Sequence, residues 1–225
     1  MAAGEGTRLR PLTERWAKPV LPIDGRPVLA VLLRELAAAD LRRVWLVTGH
    51  LAEQVEALAG DGSAFGLELT SVRQPGVLGS ADAVQRALDA GATLPVIVSA
   101  ADTVFTPGDV RRFINGVSGA AGAVAVRRQP PPGPGRGAVR TADGRVTSMA
   151  DDDPTNPWSG APLWMVDRPV AERLCRDRPP YELGKAFQSA IDAGEAVMAV
   201  EIGKTRDLTY PLDLVKENFP YLRSR

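Results

Sequence analysis

Short apolar runs alternate with stretches of helical periodicity along the first half of this chain, and this alternation constrains its fold more than any other feature. Residues 43–48 and 67–73 have the pattern of strands, and the continuous apolar run 94–100 is typical of a strand covered on both faces. Strands that alternate with helices predict an α/β fold with a parallel or mostly parallel sheet, whose ligands bind at the carboxyl ends of the strands. The intervening helices are predicted over residues 28–39, 51–59 and 80–90, with Ser80 as the N-cap of the third.

The second half of the chain is predicted to continue with both kinds of element. The run 129–136 is rich in Pro and Gly and is predicted to be irregular. A hairpin over 137–149, which turns at Ala-Asp-Gly, and a polar loop over 150–160 follow it. No linker divides the sequence convincingly, so we expect one domain over residues 1–225. The other predicted elements are a helix after residue 106, strand 122–128, strand 161–166, helices 167–176 and 183–194, strand 196–202 and a helix from about residue 211.

A glycine-rich segment, AAGEGTRLRPLT at residues 2–13, is the strongest local signal. Gly4 and Gly6 permit backbone conformations closed to other residues, so a tight loop can turn its N–H groups toward a ligand. Such a nest of amides binds phosphate oxygens, Arg8 adds a planar fork suited to a polyphosphate, and Lys18 adds a mobile positive charge. The segment is neither a Walker loop nor a dinucleotide-binding fingerprint. A Gly-x-Gly pair alone is more often an ordinary turn followed by solvated basic residues.

Charge and cysteine content exclude several classes of protein. Lys plus Arg equals Asp plus Glu at 27 each, so the basic excess usual in nucleic-acid-binding proteins is missing. Cys175 is the single cysteine and His50 the single histidine, which excludes an intrachain disulfide and a cysteine-based zinc site. The sequence has no signal peptide and no apolar run of membrane-spanning length. We expect a cytoplasmic protein that binds neither nucleic acid nor membrane.

The longer string formed by residues 2–13 and KPVLPIDGRPVL at 18–29 resembles the signature of the sugar-phosphate nucleotidylyltransferases. The resemblance extends over nearly the whole chain and is weaker after residue 103. It implies a Rossmann-like three-layer α/β/α fold with a mixed, mostly parallel sheet. It also implies transfer of a nucleotidyl group from an NTP to a sugar 1-phosphate, which gives an NDP-sugar and pyrophosphate. Residues 1–106 would be the nucleotide-binding half of the domain and residues 107–225 the sugar-phosphate-binding half.

The resemblance also assigns roles on the nucleotide side. The glycine loop of the family grips the triphosphate, and the family lysine that matches Lys18 touches the phosphates at the reaction centre. Arg8 and Lys18 are therefore the predicted catalytic residues. A glutamine and a Gly-Thr/Ser-Ala turn lie around the base in the family; without this match, Gln74 would be taken for an ordinary exposed polar residue. The predicted nucleotide-binding residues are Ala3, Gly4, Gly6, Thr7, Gln74, Gly79 and Ser80.

Two aspartates are predicted to bind Mg²⁺, which prefers oxygen ligands and completes its shell with substrate phosphates and water. Asp102 follows the apolar strand, where a strand-end or capping role is the alternative; the family aspartate usually follows a glycine, which Ala101 replaces here. Asp207 matches the second family aspartate. Its segment, 206–218, lacks the family's tryptophan and glycine-threonine pair.

The resemblance to the family is incomplete among the residues expected to bind the sugar phosphate. Gly137 and Gly160 match family glycines near the sugar and at the pocket floor, and Asp152 is a candidate ligand for a sugar hydroxyl. Asp151 to Asp153 stand where the family has Glu-Lys, so the lysine that contacts the sugar phosphate is missing. Three alternatives stay open: the enzyme itself, a weakly active sugar-nucleotide sensor or regulatory subunit, and a cytidylyltransferase for a small phospho-alcohol such as phosphocholine. A homo-oligomer is compatible with each.

The strand that precedes the glycine loop in the family is missing from the sequence, which begins Met1-Ala2-Ala3-Gly4. Such a strand would lie centrally in the sheet, and its loss would leave two neighbours with unpaired edges. We therefore expect the natural protein to begin several residues upstream, with Met1 as an internal methionine at the end of that strand. The alternative is a genuine variant with a disordered loop and lower activity.

Overall fold

The computed structural model describes residues 1–117, 119–128, 137–175 and 178–219. Its helices α1 to α7 span Val28–Ala38, Ala52–Ala59, Ser80–Asp89, Asp109–Asn115, Arg168–Ala171, Leu183–Asp192 and Pro211–Asn218. Its strands β1 to β12 span Pro22–Ile23, Arg26–Pro27, Arg43–Thr48, Glu68–Arg73, Val96–Ser99, Thr103–Val104, Gly122–Arg128, Arg140–Ala142, Arg145–Ser148, Trp158–Val166, Val197–Glu201 and Arg206–Asp207. Within these described ranges, no helix combines the length and the apolar character that crossing a bilayer requires.

The chain folds into two compact units, each made of segments that are far apart in sequence. The first unit contains Met1–Val77, Ala100–Phe105 and the chain from Thr205 onward. The second unit contains Leu78–Ser99 and Thr106–Lys204. The chain thus leaves the first unit and returns to it twice. The assignment of nucleotide and sugar phosphate to separate halves stays a prediction.

Parallel pairing organises the sheet of the first unit. β3 pairs with β4 in parallel register, from Arg43 opposite Glu68 to Thr48 opposite Arg73. The carboxyl half of β3 is buried, as a branched apolar run covered by helices should be. A parallel pair needs a crossover, and α2 lies in that connection. The predicted strand-helix-strand order of this region is therefore confirmed.

Residues 1–3 lie beside the end of β3. Ala2 forms a parallel bridge with Thr48, and its N–H donates to the carbonyl of Val47 at 2.7 Å. The carbonyl of Met1 accepts from the N–H of Ala101 at 2.8 Å. These residues thus pair as the carboxyl end of a strand does, immediately before the glycine loop.

One apolar cluster joins all three segments of the first unit. Leu9 comes from the glycine-loop region, Val104 from β6, and Leu208 from the chain just after β12. Full burial of one such side chain stabilises a fold by roughly 1.5–3 kcal/mol, so the cluster couples the loop to the later segments. Its buried members are Leu9, Leu21, Ile23, Val28 and Leu208, and Val104 and Leu214 pack against them.

The second unit contains a six-stranded sheet of mixed direction, in the order β5-β10-β7-β11-β9-β8. β7 and β11 are parallel, whereas β10 is antiparallel to both β5 and β7. Residues of β10 alternate between buried and half-buried, the pattern of a strand with one face in the core. Gly122 begins β7 at a crowded place, because a Cβ there would lie 2.8 Å from Cε1 of Phe187.

Several predicted boundaries need correction. Ser80 is the first residue of α3 rather than its N-cap; Gly79 is the cap residue, and no side chain caps the helix there. β10 begins at Trp158, inside the predicted polar loop, and α5 ends at Ala171, well before the predicted residue 176. The hairpin prediction is confirmed, with Asp143 and Gly144 both at positive φ in the turn. The Pro/Gly-rich run 129–136 lies outside the described residues.

Candidate active site

The glycine loop is held in a tight turn by its own backbone and by Thr13. Gly6 has φ +63°, and its carbonyl accepts from the N–H of Leu9 and from Oγ1 of Thr13, both at 2.9 Å. A Cβ on Gly6 would lie 3.0 Å from Cγ2 of Thr13, so glycine suits both the dihedral and the space. Leu9 is buried, whereas Thr7 and Arg8 are exposed. Burial of Leu9 thus anchors the loop and leaves its polar side chains accessible.

An open cavity of about 320 Å³ lies against this loop in the first unit. It brings together most of the residues predicted to contact the triphosphate, along with Lys18 and Asp102. Among the described residues, Arg8 forms no ion pair that would neutralise its guanidinium group. The lining residues are Met1, Ala2, Gly4, Gly6, Thr7, Arg8, Leu9, Lys18, Pro19, Ala100, Asp102, Leu208 and Thr209.

Lys18 and Asp102 form an ion pair at the cavity. Nζ of Lys18 donates to Oδ2 of Asp102 at 2.5 Å, across 84 positions of sequence. The Lys18 side chain is 13% exposed and that of Asp102 is 31% exposed. Partial burial reduces solvent screening, so this pair is stronger than one on an open surface. The predicted phosphate-binding lysine and metal-binding aspartate are therefore neighbours.

Asp207 lies opposite the residue that follows Asp102. β12 is antiparallel to β6, with Asp207 opposite Thr103, the residue that follows Asp102. Thr209 and Leu208, which follow Asp207, line the cavity. No cluster of three or more His, Cys, Asp or Glu side chains that could hold a metal occurs among the described residues. Asp102 just before β6 and Asp207 in β12 still suit Mg²⁺, which proteins often hold through one or two carboxylates while substrate phosphates supply other ligands.

Two residues between β3 and α2, which sequence reasoning missed, hold the glycine loop. Gly49 follows β3 where a Cβ would lie 2.7 Å from the carbonyl oxygen of Ala3. The N–H of His50 donates to that same carbonyl at 3.3 Å, and its Nε2 lies 2.7 Å from the carbonyl oxygen of Thr13. The single histidine is therefore a brace for the loop. The Gly-His pair after a strand was the available signal for this contact.

The residues predicted to surround the base are divided between the units. Gln74 belongs to the first unit; it is buried, and its N–H donates to the carbonyl of Thr48 at 2.8 Å. Gly79 and Ser80 belong to the second unit. Burial of Gln74 contradicts the view that it is an ordinary exposed polar residue.

Tyr181 braces the Gly79-Ser80 turn within the second unit. Its N–H donates to the carbonyl of Leu78 at 2.8 Å, and its carbonyl accepts from the N–H of Ala81 at 2.7 Å. The hydroxyl of Ser80 donates to Glu182 at 2.9 Å and accepts from the N–H of Leu183 at 2.8 Å. Ser80 therefore satisfies a backbone donor at the start of α6, instead of one in its own helix.

The predicted sugar-side residues also lie in the second unit. The N–H of Gly160 donates to the carbonyl of Gly137 at 2.8 Å, so the structure brings these two glycines together. Asp152 is exposed in the acidic loop. Its neighbour Asp151 pairs with Arg140 at 2.9 Å, which holds the pKa of the Asp151 carboxyl below its ordinary value. The Asp151 carboxylate is thus engaged by Arg140. The role of Asp152 toward a sugar hydroxyl stays a prediction.

Curated relatives match nearly the whole of this chain. The chain is 31% identical over 229 residues to a glucose-1-phosphate thymidylyltransferase of Streptomyces antibioticus, covering 97% of this chain and 64% of that protein. It is 29% identical over 228 residues to the enzyme of the same name from Streptomyces griseus, with the same coverage. The chain therefore spans about 64% of the length of these curated relatives.

The fold is shared with solved nucleotidyltransferase structures. A UDP-glucose pyrophosphorylase from Acinetobacter baumanii superposes with a TM-score of 0.77 at 20% identity, covering 96% of this chain and 89% of that one. This likeness confirms the predicted Rossmann-like α/β fold with its mixed sheet. The family model described as nucleotidyl transferase matches residues 1–155, more than half of the sequence. The glycine loop, the Lys18–Asp102 pair and this match together establish that the chain belongs to the nucleotidyl transferase family.

Proposed function

We propose that the protein transfers a nucleotidyl group from an NTP to a sugar 1-phosphate, giving an NDP-sugar and pyrophosphate. The observation that carries the proposal is the ion pair of Lys18 with Asp102, placed with Arg8 around one cavity beside a glycine turn. Two relatives named glucose-1-phosphate thymidylyltransferase support it. Glucose 1-phosphate is therefore the first acceptor to test.

The triphosphate is proposed to lie against the glycine loop. Backbone N–H groups at Gly4, Gly6 and Thr7 suit phosphate oxygens, since a tight turn leaves such donors free for an anion. The Arg8 guanidinium is exposed at the cavity, where its planar fork can bind the β- and γ-phosphates that leave as pyrophosphate. Ala3 contributes backbone to the same turn, and Gln74, Gly79 and Ser80 are the proposed contacts to the base.

The proposed reaction is an in-line displacement at the α-phosphorus. An oxygen of the sugar 1-phosphate forms the new bond to the α-phosphorus, and the bond to the oxygen that bridges to the β-phosphate breaks. The attacking phosphate is already anionic near pH 7, so the protein has no need of a general base. Catalysis then consists of positioning and of neutralising charge. Lys18 is proposed to neutralise the α-phosphate, and Arg8 the departing pyrophosphate.

Asp102 and Asp207 are the residues that would hold Mg²⁺. When bound, Mg²⁺ supplies positive charge that offsets the charge of the transferred and departing phosphates. Support for this assignment comes from the pairing of β12 with β6, which places Asp207 opposite Thr103, the residue that follows Asp102.

The acceptor is proposed to bind in the second unit around Gly137 and Gly160, with Asp152 toward a sugar hydroxyl. No lysine stands between residues 137 and 166, so this segment cannot supply an ammonium group to the sugar phosphate. Because this lysine is missing, the acceptors to be tested should include a small phospho-alcohol such as phosphocholine.

The experiment is a measurement of pyrophosphate release with each of the four common NTPs, a panel of sugar 1-phosphates and phosphocholine, in the presence of Mg²⁺. We expect turnover for at least one pair that contains a sugar 1-phosphate. Turnover with phosphocholine alone would mean that the acceptor is a phospho-alcohol and not a sugar 1-phosphate. Nucleotide binding without turnover for any pair would contradict the proposal and favour a sensor.

Variants then test the assigned residues. Lys18→Met and Asp102→Asn should each lower kcat by about a hundredfold or more, the usual effect of removing a group that stabilises charge in the transition state. Lys204→Met is the matched control, because Lys204 is exposed and lies in the second unit. A Lys18→Met rate equal to that of Lys204→Met would remove Lys18 from the proposed mechanism.

A further inference from the structure

Gln54 lies on α2 and makes two hydrogen bonds to the backbone just before Lys18. Its Oε1 accepts from the N–H of Ala17 at 2.8 Å, and its Nε2 donates to the carbonyl of Arg15 at 2.7 Å. Both ends of the amide are thus used on the backbone groups that flank Trp16. A neighbouring strand would satisfy the same groups in a similar way.

These hydrogen bonds fix the backbone of Ala17, the residue directly before Lys18. Ala17 is 1% exposed and is the N-cap residue of the 3-10 turn Lys18–Val20. Arg15 and Trp16 are exposed, and their N–H groups both donate back to the carbonyl of Leu12. Residues 12–16 therefore form a turn through their own backbone hydrogen bonds. The side-chain amide of Gln54 connects the end of this turn to α2.

Lys18 is sensitive to this placement because its ammonium group is confined. Its Nζ lies 2.5 Å from Oδ2 of Asp102, and the side chain is 13% exposed. Lysine has a long flexible stem, so only a fixed backbone keeps the charge at one point. A displacement at Ala17 would move the origin of that stem relative to Asp102.

The glycine loop has a different anchor. Oγ1 of Thr13 donates to the carbonyl of Gly6, and His50 contacts the carbonyl of Thr13. Loss of Gln54 therefore leaves the contacts that shape the triphosphate loop in place. The two anchors divide the segment between residues 6 and 18 into a part held through His50 and a part held through Gln54.

We propose that Gln54 is a positioning residue for Lys18, which holds the backbone of Arg15 and Ala17 so that the Lys18 ammonium group stays on Asp102. The statement about turnover rests on the proposed function, whereas the position of Lys18 can be measured without substrate. Gln54 itself is not among the residues that line the cavity, so its effect is transmitted through Lys18.

The first test is lysine acetylation followed by peptide mass spectrometry. The sequence has four lysines, and Lys185, Lys204 and Lys216 are exposed internal references for Lys18. In Gln54→Met the acetylation rate of Lys18 should rise about fivefold or more relative to these references, since each lost neutral hydrogen bond is worth about that factor. The matched control is Gln85→Met, because the Gln85 amide donates to Asp89 within its own helix.

An unchanged Lys18 rate in folded Gln54→Met would overturn the proposal. Circular dichroism and a cooperative thermal transition decide whether Gln54→Met is folded, because the exposed reference lysines would not react faster on unfolding. If the variant lacks that transition, Gln54→Glu takes its place. That variant keeps the acceptor for Ala17 and loses the donor to Arg15. The same criterion applies to it, namely a selective rise at Lys18.

The second test uses turnover. Gln54→Met should lower kcat by about fivefold or more, with KM for the NTP changed by less than about twofold, because the triphosphate loop keeps its own anchor. In a Lys18→Met background, Gln54→Met should have no further effect on kcat. An undiminished effect in that background would show a general structural role and overturn the proposal. Absence of turnover in the unmodified protein would contradict the proposed function instead, and the acetylation result would then decide the role of Gln54.

Discussion

Replacement of Gly79 by alanine should destabilise the second unit more than replacement of any glycine with space around it. Gly79 has φ 99° and ψ 172°, a conformation that side chains other than hydrogen rarely adopt. A Cβ there would lie 2.3 Å from the carbonyl oxygen of Tyr181 and 2.6 Å from its nitrogen. Contacts under 3.0 Å essentially never occur, so the backbone of Tyr181 must retreat.

The magnitude follows from the two effects. A residue forced into such a conformation costs about 1–3 kcal/mol. Retreat of Tyr181 weakens its hydrogen bonds to Leu78 and Ala81, and each is worth about 1 kcal/mol. The expected loss in the free energy of unfolding is therefore about 3–5 kcal/mol.

Two other glycines of the second unit separate these effects. Gly91 has φ +96° with no atom within 4 Å of a built Cβ, so Gly91→Ala should cost only about 1–2 kcal/mol from backbone strain. Gly184 lies within α6, and its built Cβ meets only Cε of Met149, at 3.9 Å. Gly184→Ala should therefore stabilise the protein by roughly 0.5–1 kcal/mol.

Urea unfolding of the three variants and the parent protein gives the comparison. The expected order of stability is Gly184→Ala, parent, Gly91→Ala and Gly79→Ala. If Gly79→Ala unfolds within about 1 kcal/mol of Gly91→Ala, the close approach of Tyr181 contributes little and the reasoning from its backbone contacts is wrong.

Three further perturbations test other contacts. Gly49→Ala should lower stability by about 1–3 kcal/mol in thermal unfolding, because its Cβ would lie 2.7 Å from Ala3, whereas Gly76→Ala, with no atom within 4 Å, should be near neutral. Asp151→Asn should reduce the loss of stability on acidification: Arg140 lowers the pKa of Asp151, so the contribution is complete above the unfolded value of about 3.9 and disappears as pH falls through the folded value. Thermal melts between neutral pH and about pH 3 would show parallel curves if that contact were unimportant. Chelation by EDTA should abolish pyrophosphate release and added Mg²⁺ should restore it; turnover that survives EDTA would contradict the metal assignment.

Elements set by local periodicity were predictable from the sequence. β3 was predicted with the bounds it has, and α1 to within one residue, because branched apolar runs and helical spacing reflect burial directly. The hairpin turn was predictable from its residue types, since Asp-Gly tolerates positive φ at both positions. The start of β10 was missed because its first residues, Trp-Ser-Gly, continue a polar stretch.

Contacts between distant residues could not be predicted. Ser80 was expected to cap its own helix, but Glu182 and Leu183, about a hundred positions away, provide its partners. Gln54 stands in an amphipathic helix, where a partly exposed glutamine carries no sign that it holds another segment. The resemblance located Lys18 and Asp102 separately; their direct contact is a result of the fold.

The interleaved order of the two units has a consequence for synthesis of the chain. Val104 in β6 enters the first unit early, but its partner Arg206 in β12 is made about a hundred residues later, or about 5–20 s later at ordinary translation rates. During that interval the apolar cluster around Leu9 lacks Leu208. The second unit ends at Lys204, so most of it is synthesised within that interval. Because of this order of synthesis, the apolar cluster that anchors the phosphate loop is complete only after the segment from Thr205 onward has been made.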